Sequence, residues 1–257
     1  MNDGKRSFMP NSLPISQAEK DRFLSDGYIR LDGVITEEEL DWYRVRYDDL
    51  FSDESEIKQL GGRDEQGRAA LPQILEPHRK IPELLELPYL KRLEGIAKFI
   101  LGPEAEFKND HMILKPAGHG AATPWHQDQA YHQPDSTYTN INFWLPLEGA
   151  TVDGGSMHYV RGTHRGTIVP HRHLIVGDRQ SAMVADHQNY WSMNGEALDC
   201  PVGSVLLHHS YCMHYAGPNL TDLPRRAYIA VFSTPPRPLE RPFNLPWQTD
   251  PFWPDKE

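Results

Sequence analysis

Apolar side chains in the first hundred residues recur at helical spacing behind recognisable helix starts. Ser16 and Thr36 each stand three residues before a glutamate, which is the capping-box arrangement that opens a helix. The pattern predicts one helix over about residues 17–25 and a second from Thr36 onward, with apolar positions three or four apart. A third amphipathic helix is predicted over 88–101, where Gly102-Pro103 would end it. The N-terminal third is therefore predicted to be helical.

Beyond residue 103 the pattern changes to short apolar runs separated by Gly, Pro and Asp. We expect no helix between 104 and 168, and Asp153-Gly154-Gly155 is a hairpin signal between two candidate strands. Strands that are not interleaved with helices disfavour a doubly wound sheet and favour a β barrel or sandwich. The candidate strands beyond residue 103 are 107–115, 139–147, 156–160, 204–207 and 228–234, and one short strand, 28–31, is predicted between the first two helices.

This change of pattern predicts one domain with three parts. They are a helical flank over 1–103, a β core over 104–234 and an extended C-terminal arm over 235–257. The arm is rich in proline and aromatic residues, so we expect it to pack over the domain or to meet a second subunit. A homo-oligomer is therefore left open.

Composition narrows the classes of partner. The formal net charge is -10 and no run of Lys or Arg occurs, which disfavours nucleic acid and anionic membranes. No apolar run approaches the roughly 20 residues that span a bilayer, and the first residues lack the apolar segment of a secretory signal. Two cysteines fit a reducing cytoplasm. These features predict a cytoplasmic protein that acts on a small, neutral or cationic molecule.

The chain contains one H-x-D motif, His126-Gln127-Asp128, and none of the common hydrolase, phosphate-loop or zinc signatures. On a strand alternate residues point the same way, so we expect His126 and Asp128 to project together. One imidazole and one carboxylate are two thirds of the facial triad that holds non-haem Fe(II). A surface histidine beside a solvated aspartate would give the same letters. The His-Arg-His run at 171–173 is expected to be a solvated loop.

A second group of residues offers candidates for the third metal ligand and for a carboxylate-binding cation. The apolar run 205–207 leads into His208, His209 and His214, and Arg225-Arg226 opens the next strand. A planar guanidinium captures a carboxylate with two hydrogen bonds. A metal with open positions beside such an arginine would bind a keto acid. For His208 and His209 we expect that one packs inside and the other faces solvent.

Four stretches together resemble the phytanoyl-CoA dioxygenase family of Fe(II)/2-oxoglutarate-dependent oxygenases. They are FLSDGYIRLDGVITEEEL, the K-P…W-H-Q-D segment, NINFWLPLEGATVDGGSMHYVRGTHRG and HYAGPNLTDLPRRA, and they cover most of residues 17–234. The resemblance implies a mainly β fold with N-terminal helices, the double-stranded β-helix or cupin-like jelly roll.

The resemblance also implies a set of site residues. In that family the distal histidine lies eleven residues before the cosubstrate arginine, which selects His214 if Arg225 is that arginine. Fe(II) would then be bound by His126, Asp128 and His214. Arg225 would hold the 2-oxoglutarate carboxylate, and the cosubstrate pocket would be lined by Gln127, Trp144 and His111. Ala216 stands where some members carry a serine that touches the cosubstrate.

The implied reaction uses Fe(II), 2-oxoglutarate and O2 to oxidise an unactivated C–H bond of a small metabolite, releasing succinate and CO2. Hydroxylation is the simplest outcome, because an alanine or glycine in place of Asp128 would be needed to make room for a halide. Desaturation and ring closure belong to the same class. Two other interpretations stay open at this point, a cupin-type metal enzyme that uses no 2-oxoglutarate and a non-catalytic binding module on the same fold.

Overall fold

Fifteen strands and five α-helices make up the part of the chain that the computed structural model describes, residues 14–61, 63, 66–250 and 252–253. The helices are α1 (Gln17–Asp26), α2 (Glu37–Phe51), α3 (Pro88–Leu101), α4 (Gln188–Asn194) and α5 (Pro246–Thr249). The strands are β1 (Tyr28–Leu31), β2 (Lys58–Gln59), β3 (Pro72–Leu75), β4 (Glu106–Lys115), β5 (Thr123–His126), β6 (Ser136–Thr137), β7 (Asn140–Pro146), β8 (Met157–Tyr159), β9 (His171–His173), β10 (Met183–Ala185), β11 (Glu196–Leu198), β12 (Val205–His209), β13 (His214–Ala216), β14 (Arg225–Ser233) and β15 (Arg237–Pro238).

The three predicted helices are confirmed, and their ends have the expected local causes. Ser16 and Thr36 each accept the backbone N–H three residues on, and the glutamates reach back to the cap N–H groups. α1 ends at Gly27, whose φ of 88° is a left-handed conformation that glycine adopts without strain. Residues 1–13 of the predicted helical flank lie outside the described residues.

Two antiparallel sheets carry the β core. The larger has seven strands in the order β1-β12-β7-β14-β4-β3-β2, and the smaller has four in the order β11-β8-β13-β5. Trp144 and Ile229 of the larger sheet pack with Met157 and Ala216 of the smaller in one buried cluster. The inner faces of the sheets therefore meet, as the predicted jelly roll requires.

Alternate residues of the larger sheet serve two different neighbours. On β7, Ile141, Phe143 and Leu145 join the cluster formed with the helices, while Trp144 belongs to the cluster between the sheets. On β14, Tyr228 packs with the helices and Ile229 faces the smaller sheet. Side chains that alternate along these strands therefore give the sheet one side that faces the helices and one that faces the smaller sheet. The second side is called the cavity-facing side, because a cavity lies between the two sheets.

Two local predictions are wrong. The turn at 153–155 does not form a hairpin, because the strands it joins, β7 and β8, belong to different sheets. The 171–173 run is a strand paired with β10, in which His171 and His173 are only 1% and 3% exposed. The segment is buried because it pairs with β10 and packs against Trp247. Both partners are distant in the sequence, so the residues around 171–173 do not predict these contacts.

Part of the C-terminal arm is hydrogen-bonded to the segment that follows the H-x-D motif. The Trp247 indole is 3% exposed and donates to the Ala130 carbonyl. Gln248 donates to the carbonyls of Ala130 and His132. Within the described ranges, no helix combines the length and apolarity that a membrane crossing needs.

Candidate metal centre and cosubstrate cavity

His126, Asp128 and His214 meet at one point between the sheets. His126 and His214 are directly opposite partners on β5 and β13. Their Nε2 atoms lie 3.5 and 3.6 Å from the same oxygen, Oδ1 of Asp128. One donor atom from each residue falls within 4.8 Å of the others, a spacing suited to a single metal ion.

Backbone carbonyls set the tautomer of both histidines. Nδ1 of His126 lies 2.8 Å from the Pro124 carbonyl, and Nδ1 of His214 lies 2.9 Å from the Cys212 carbonyl. A carbonyl oxygen only accepts, so each Nδ1 carries the proton and each Nε2 presents a lone pair. Two neutral imidazoles and one carboxylate are the donor set of a non-haem Fe(II) site, so the residues present fit the metal.

Asp128 reaches the site from a different element than expected. The strand β5 ends at His126, and Asp128 begins a short 3-10 helix over Asp128–Tyr131. Strand alternation therefore does not explain why the two side chains converge. Burial alone would raise the pKa of Asp128, but the neighbouring side chains of His214, His126 and His208 hold it well below its usual value. The carboxylate is thus ready to bind a cation.

Arg225 supplies a buried cation with spare hydrogen-bonding capacity. It opens β14, is 4% exposed and lies 5.2 Å from the centre of the Trp144 ring. Among the described residues, its Nε and Nη1 atoms have no hydrogen-bond partner. Burial lowers the pKa of Arg225 to about 10, so the group stays charged near neutral pH. Arg226 instead pairs with Glu148 and Asp48 on the opposite side of the strand.

The triad and Arg225 line one cavity of about 70 Å³. Trp144, His111 and Ala216 line it too, and burial lowers the pKa of His111 to about 4, so that it is neutral at pH 7. The methyl group of Ala216 leaves this wall without the hydroxyl that a serine would place there. The remaining lining is apolar at Ile113, Met157 and Ile229 and polar at Thr123, Asn142 and His208.

Gln127 does not line this cavity, although we predicted that it would. Its side-chain amide donates to the carbonyls of Thr167 and Tyr211 and accepts from the N–H of Val169. Its own N–H donates to Nε2 of His171. Gln127 therefore links the H-x-D turn by hydrogen bonds to the loops at Thr167 and Tyr211. These partners are distant in the sequence, so the local sequence does not predict them.

Three residues near the cavity were missed or undervalued. Nδ2 of Asn142 donates to Asp128 Oδ2 at 2.8 Å, and His208 Nε2 lies 3.1 Å from the same oxygen. Lys115 is fully buried and donates to the carbonyls of Ala216 and Gly217, just beyond His214. Alternation places each of these residues on the cavity-facing side of its strand, but it does not identify the contacts that they make.

Comparison with known proteins agrees with this geometry. The phytanoyl-CoA dioxygenase (PhyH) family model matches residues 23–227. A crystal structure of EvdO2 from Micromonospora carbonacea var. aurantiaca, complexed with 2-oxoglutarate, is 36% identical to this chain. The match covers 91% of this chain and 96% of that chain, with a TM-score of 0.80.

Curated relatives are more distant but cover most of the chain. The probable alpha-ketoglutarate-dependent hypophosphite dioxygenase of Stutzerimonas stutzeri is 25% identical over 228 residues, 84% of this chain and 78% of that protein. The ectoine dioxygenase of Sphingopyxis alaskensis (strain DSM 13593 / LMG 18877 / RB2256) is 24% identical over 254 residues, 92% of this chain and 83% of that protein. The predicted fold and enzyme class are confirmed, and the chain belongs to the phytanoyl-CoA dioxygenase (PhyH) family.

Proposed function

We propose that the protein oxidises an unactivated C–H bond of a small molecule, most simply by hydroxylation, and that it consumes 2-oxoglutarate and O2. Fe(II) would be held by Nε2 of His126, Oδ1 of Asp128 and Nε2 of His214. When bound, the metal and 2-oxoglutarate supply the oxidation of the C–H bond, with release of succinate and CO2. The side chains of the protein position the metal and 2-oxoglutarate, provide the charges that bind them and exclude water from the site.

The observation that carries this proposal is that two nitrogens of the buried Arg225 guanidinium, Nε and Nη1, have no hydrogen-bond partner among the described residues. A buried charge without hydrogen-bond partners is unfavourable, so a carboxylate from outside the chain is its natural complement. Arg225 and the three proposed metal ligands line the same cavity. A molecule with a metal-binding end and a second carboxylate fits this arrangement, and 2-oxoglutarate has both. The complex of EvdO2 with 2-oxoglutarate supports the same choice.

Neighbouring side chains support this binding mode. The Trp144 ring lies beside the Arg225 guanidinium, and Ile113, Ile229 and Met157 form apolar walls. Apolar walls exclude water, which strengthens charge pairing and keeps the reaction from solvent. Exclusion of water also limits side reactions at the site.

The substrate is proposed to approach beside Asp128. The Asp128 side chain is 24% exposed, against 8% for His126 and 4% for His214. The triad is therefore most accessible on the aspartate side. Relatives named for ectoine and hypophosphite act on small molecules, which supports a small-molecule substrate here.

The test compares two adjacent arginines by 2-oxoglutarate turnover. Purified protein is supplied with Fe(II), ascorbate and O2, and succinate is measured against 2-oxoglutarate concentration. Arg225→Met should raise the concentration needed for half-maximal rate by about 10- to 100-fold, because a charged hydrogen-bond partner is worth about 1.5–3 kcal/mol. Arg226→Met removes the same charge outside the cavity and should leave that concentration unchanged. An Arg225→Met protein with the wild-type concentration dependence would contradict the proposal.

A further inference from the structure

The two oxygens of Asp128 have different surroundings. Oδ1 faces Nε2 of His126 and His214, at 3.5 and 3.6 Å. Oδ2 accepts a hydrogen bond from Asn142 at 2.8 Å and lies 3.1 Å from His208 Nε2. Oδ1 is therefore turned toward the other two proposed metal ligands, while Oδ2 already has hydrogen-bond partners.

The partners of Oδ2 are placed by the sheet. Asn142 on β7 and His208 on β12 are directly opposite each other in the antiparallel ladder. Opposite residues present their side chains on the same face, so both reach toward Asp128 from one side. His126 and His214 form a second opposite pair in the facing sheet. Asp128 thus lies between two rigid cross-strand pairs, although it comes from a 3-10 helix.

The tautomer of His208 follows from its two neighbours. Its Nδ1 lies 3.2 Å from the hydroxyl of Tyr159, and its Nε2 faces the Asp128 carboxylate. An ionised carboxylate only accepts, so Nε2 must carry the proton. Nδ1 of the neutral ring then accepts from the Tyr159 hydroxyl. His208 is accordingly a hydrogen-bond donor to Asp128, and its Nε2 lone pair is not available for a metal.

Tyr159 is itself firmly held. It is fully buried, and its ring stacks on Tyr28 with centres 4.5 Å apart and planes 11° apart. The Tyr28 hydroxyl donates to Glu196. Tyr159 is also the strand neighbour of His214 on β8. A continuous set of contacts therefore runs from the stacked tyrosines through His208 to Asp128.

We propose that Asn142, His208 and Tyr159 form a carboxylate clamp that leaves only Oδ1 of Asp128 free to bind the metal. This inference rests on the proposed function, because it concerns how the same site holds Fe(II). The clamp residues are positioning residues, since they act through Asp128. Without them the carboxylate can rotate, and the metal loses a ligand that is already in place. Partners of this kind are typically worth about 10- to 100-fold in metal affinity.

The test is Co(II) binding to metal-free protein, without 2-oxoglutarate or O2, followed by visible absorption. His208→Leu should weaken Co(II) binding by about 10- to 100-fold and change the Co(II) spectrum. His208→Gln can place an amide N–H near the same point and should recover most of the affinity. Tyr159→Phe keeps the ring stack, removes the hydroxyl and should show a smaller loss. His209→Leu is the matched control, because His209 contacts His164 and Tyr211 instead.

The outcomes separate the two proposals. Thermal unfolding of each metal-free variant first establishes that it is folded. A folded His208→Leu protein with wild-type Co(II) affinity and spectrum would overturn the clamp and leave the proposed function intact. Equal losses in His208→Leu and His208→Gln would also overturn it, because the donated hydrogen bond would then be irrelevant. A wild-type protein that binds no Co(II) would remove the metal site, and the clamp with it.

Discussion

The two faces of the seven-stranded sheet are built by the same strands and behave differently. The helix-facing side is a continuous apolar core, with Phe143 and Tyr228 packed under α2 and α3. The cavity-facing side, one residue along each strand, carries Asn142, Trp144 and Arg225. The period of two lets a single sheet provide stability on one side and chemistry on the other.

A buried charge on each face sharpens the contrast. Asp110 on the helix-facing side is 1% exposed and pairs with His78 at 2.5 Å and with the Tyr228 hydroxyl at 3.0 Å. Arg225 on the cavity-facing side is 4% exposed, yet two of its nitrogens have no partner within the described part of the chain. The partners of Asp110 compensate for its burial, whereas Arg225 keeps hydrogen-bonding capacity for a ligand.

The largest expected effect is loss of activity in Asp128→Ala. Alanine offers no metal ligand, and the donors Asn142 and His208 cannot replace one, so we expect no substrate oxidation and no stimulated succinate release. Asp110→Asn removes a buried carboxylate from the opposite face. It should lower the free energy of unfolding while folded protein still oxidises substrate. An Asp128→Ala protein that hydroxylates at the wild-type rate would exclude Asp128 as a ligand.

Phe143→Ala should act on stability alone. The side chain is fully buried on the helix-facing side and packs edge-on against Phe232. Its removal should cost about 3–5 kcal/mol in the free energy of unfolding, measured by urea denaturation. The 2-oxoglutarate dependence of the folded enzyme should not change, because Phe143 points away from the cavity. A shift in that dependence, or a loss below about 1 kcal/mol, would contradict the separation of the two faces.

A smaller effect is expected from acidification. Burial lowers the pKa of four histidines from 6.5 to about 4. Between these two values the histidines are protonated in the unfolded chain and neutral in the folded chain. Stability should be complete above about pH 6.5 and should fall as the pH drops toward 4, by up to about 1.4 kcal/mol per pH unit for each group. The four are His111, His132, His171 and His209.

The measurement is the urea midpoint of the metal-free protein at several pH values between 7 and 5. His209→Gln removes one of these groups and should make the decline shallower. A midpoint that stays constant over this range would show that the folded and unfolded chains take up protons equally, and would contradict the lowered pKa values of these histidines.

Local sequence was enough for much of the fold. Capping boxes located α1 and α2, and short apolar runs separated by Gly, Pro and Asp located β4, β7 and β14, because both signals depend on residues close together in the chain. The H-x-D motif indicated His126 and Asp128, and the family resemblance supplied His214 and the jelly roll. The structure brings these three residues and Arg225 to one cavity.

The remaining features depend on pairings between distant segments. Asn142 and His208 meet only because β7 and β12 pair in one particular register. Gln127 faces away from the cavity because the loops at Thr167 and Tyr211 supply its partners. His171 is buried because a strand and the C-terminal arm cover it. Strand register and burial by segments that are distant in the sequence arise only when the sheets assemble, so no local sequence pattern predicts them.

The central claim is that His126, Asp128, His214 and Arg225 form one site for Fe(II) and 2-oxoglutarate. An anaerobic titration tests it most directly, with metal-free protein receiving Fe(II) and then 2-oxoglutarate while visible absorption is recorded. We predict a weak charge-transfer band that requires both additions and is lost in His214→Ala and in Arg225→Ala. A wild-type protein that gives no band with both present would contradict the claim.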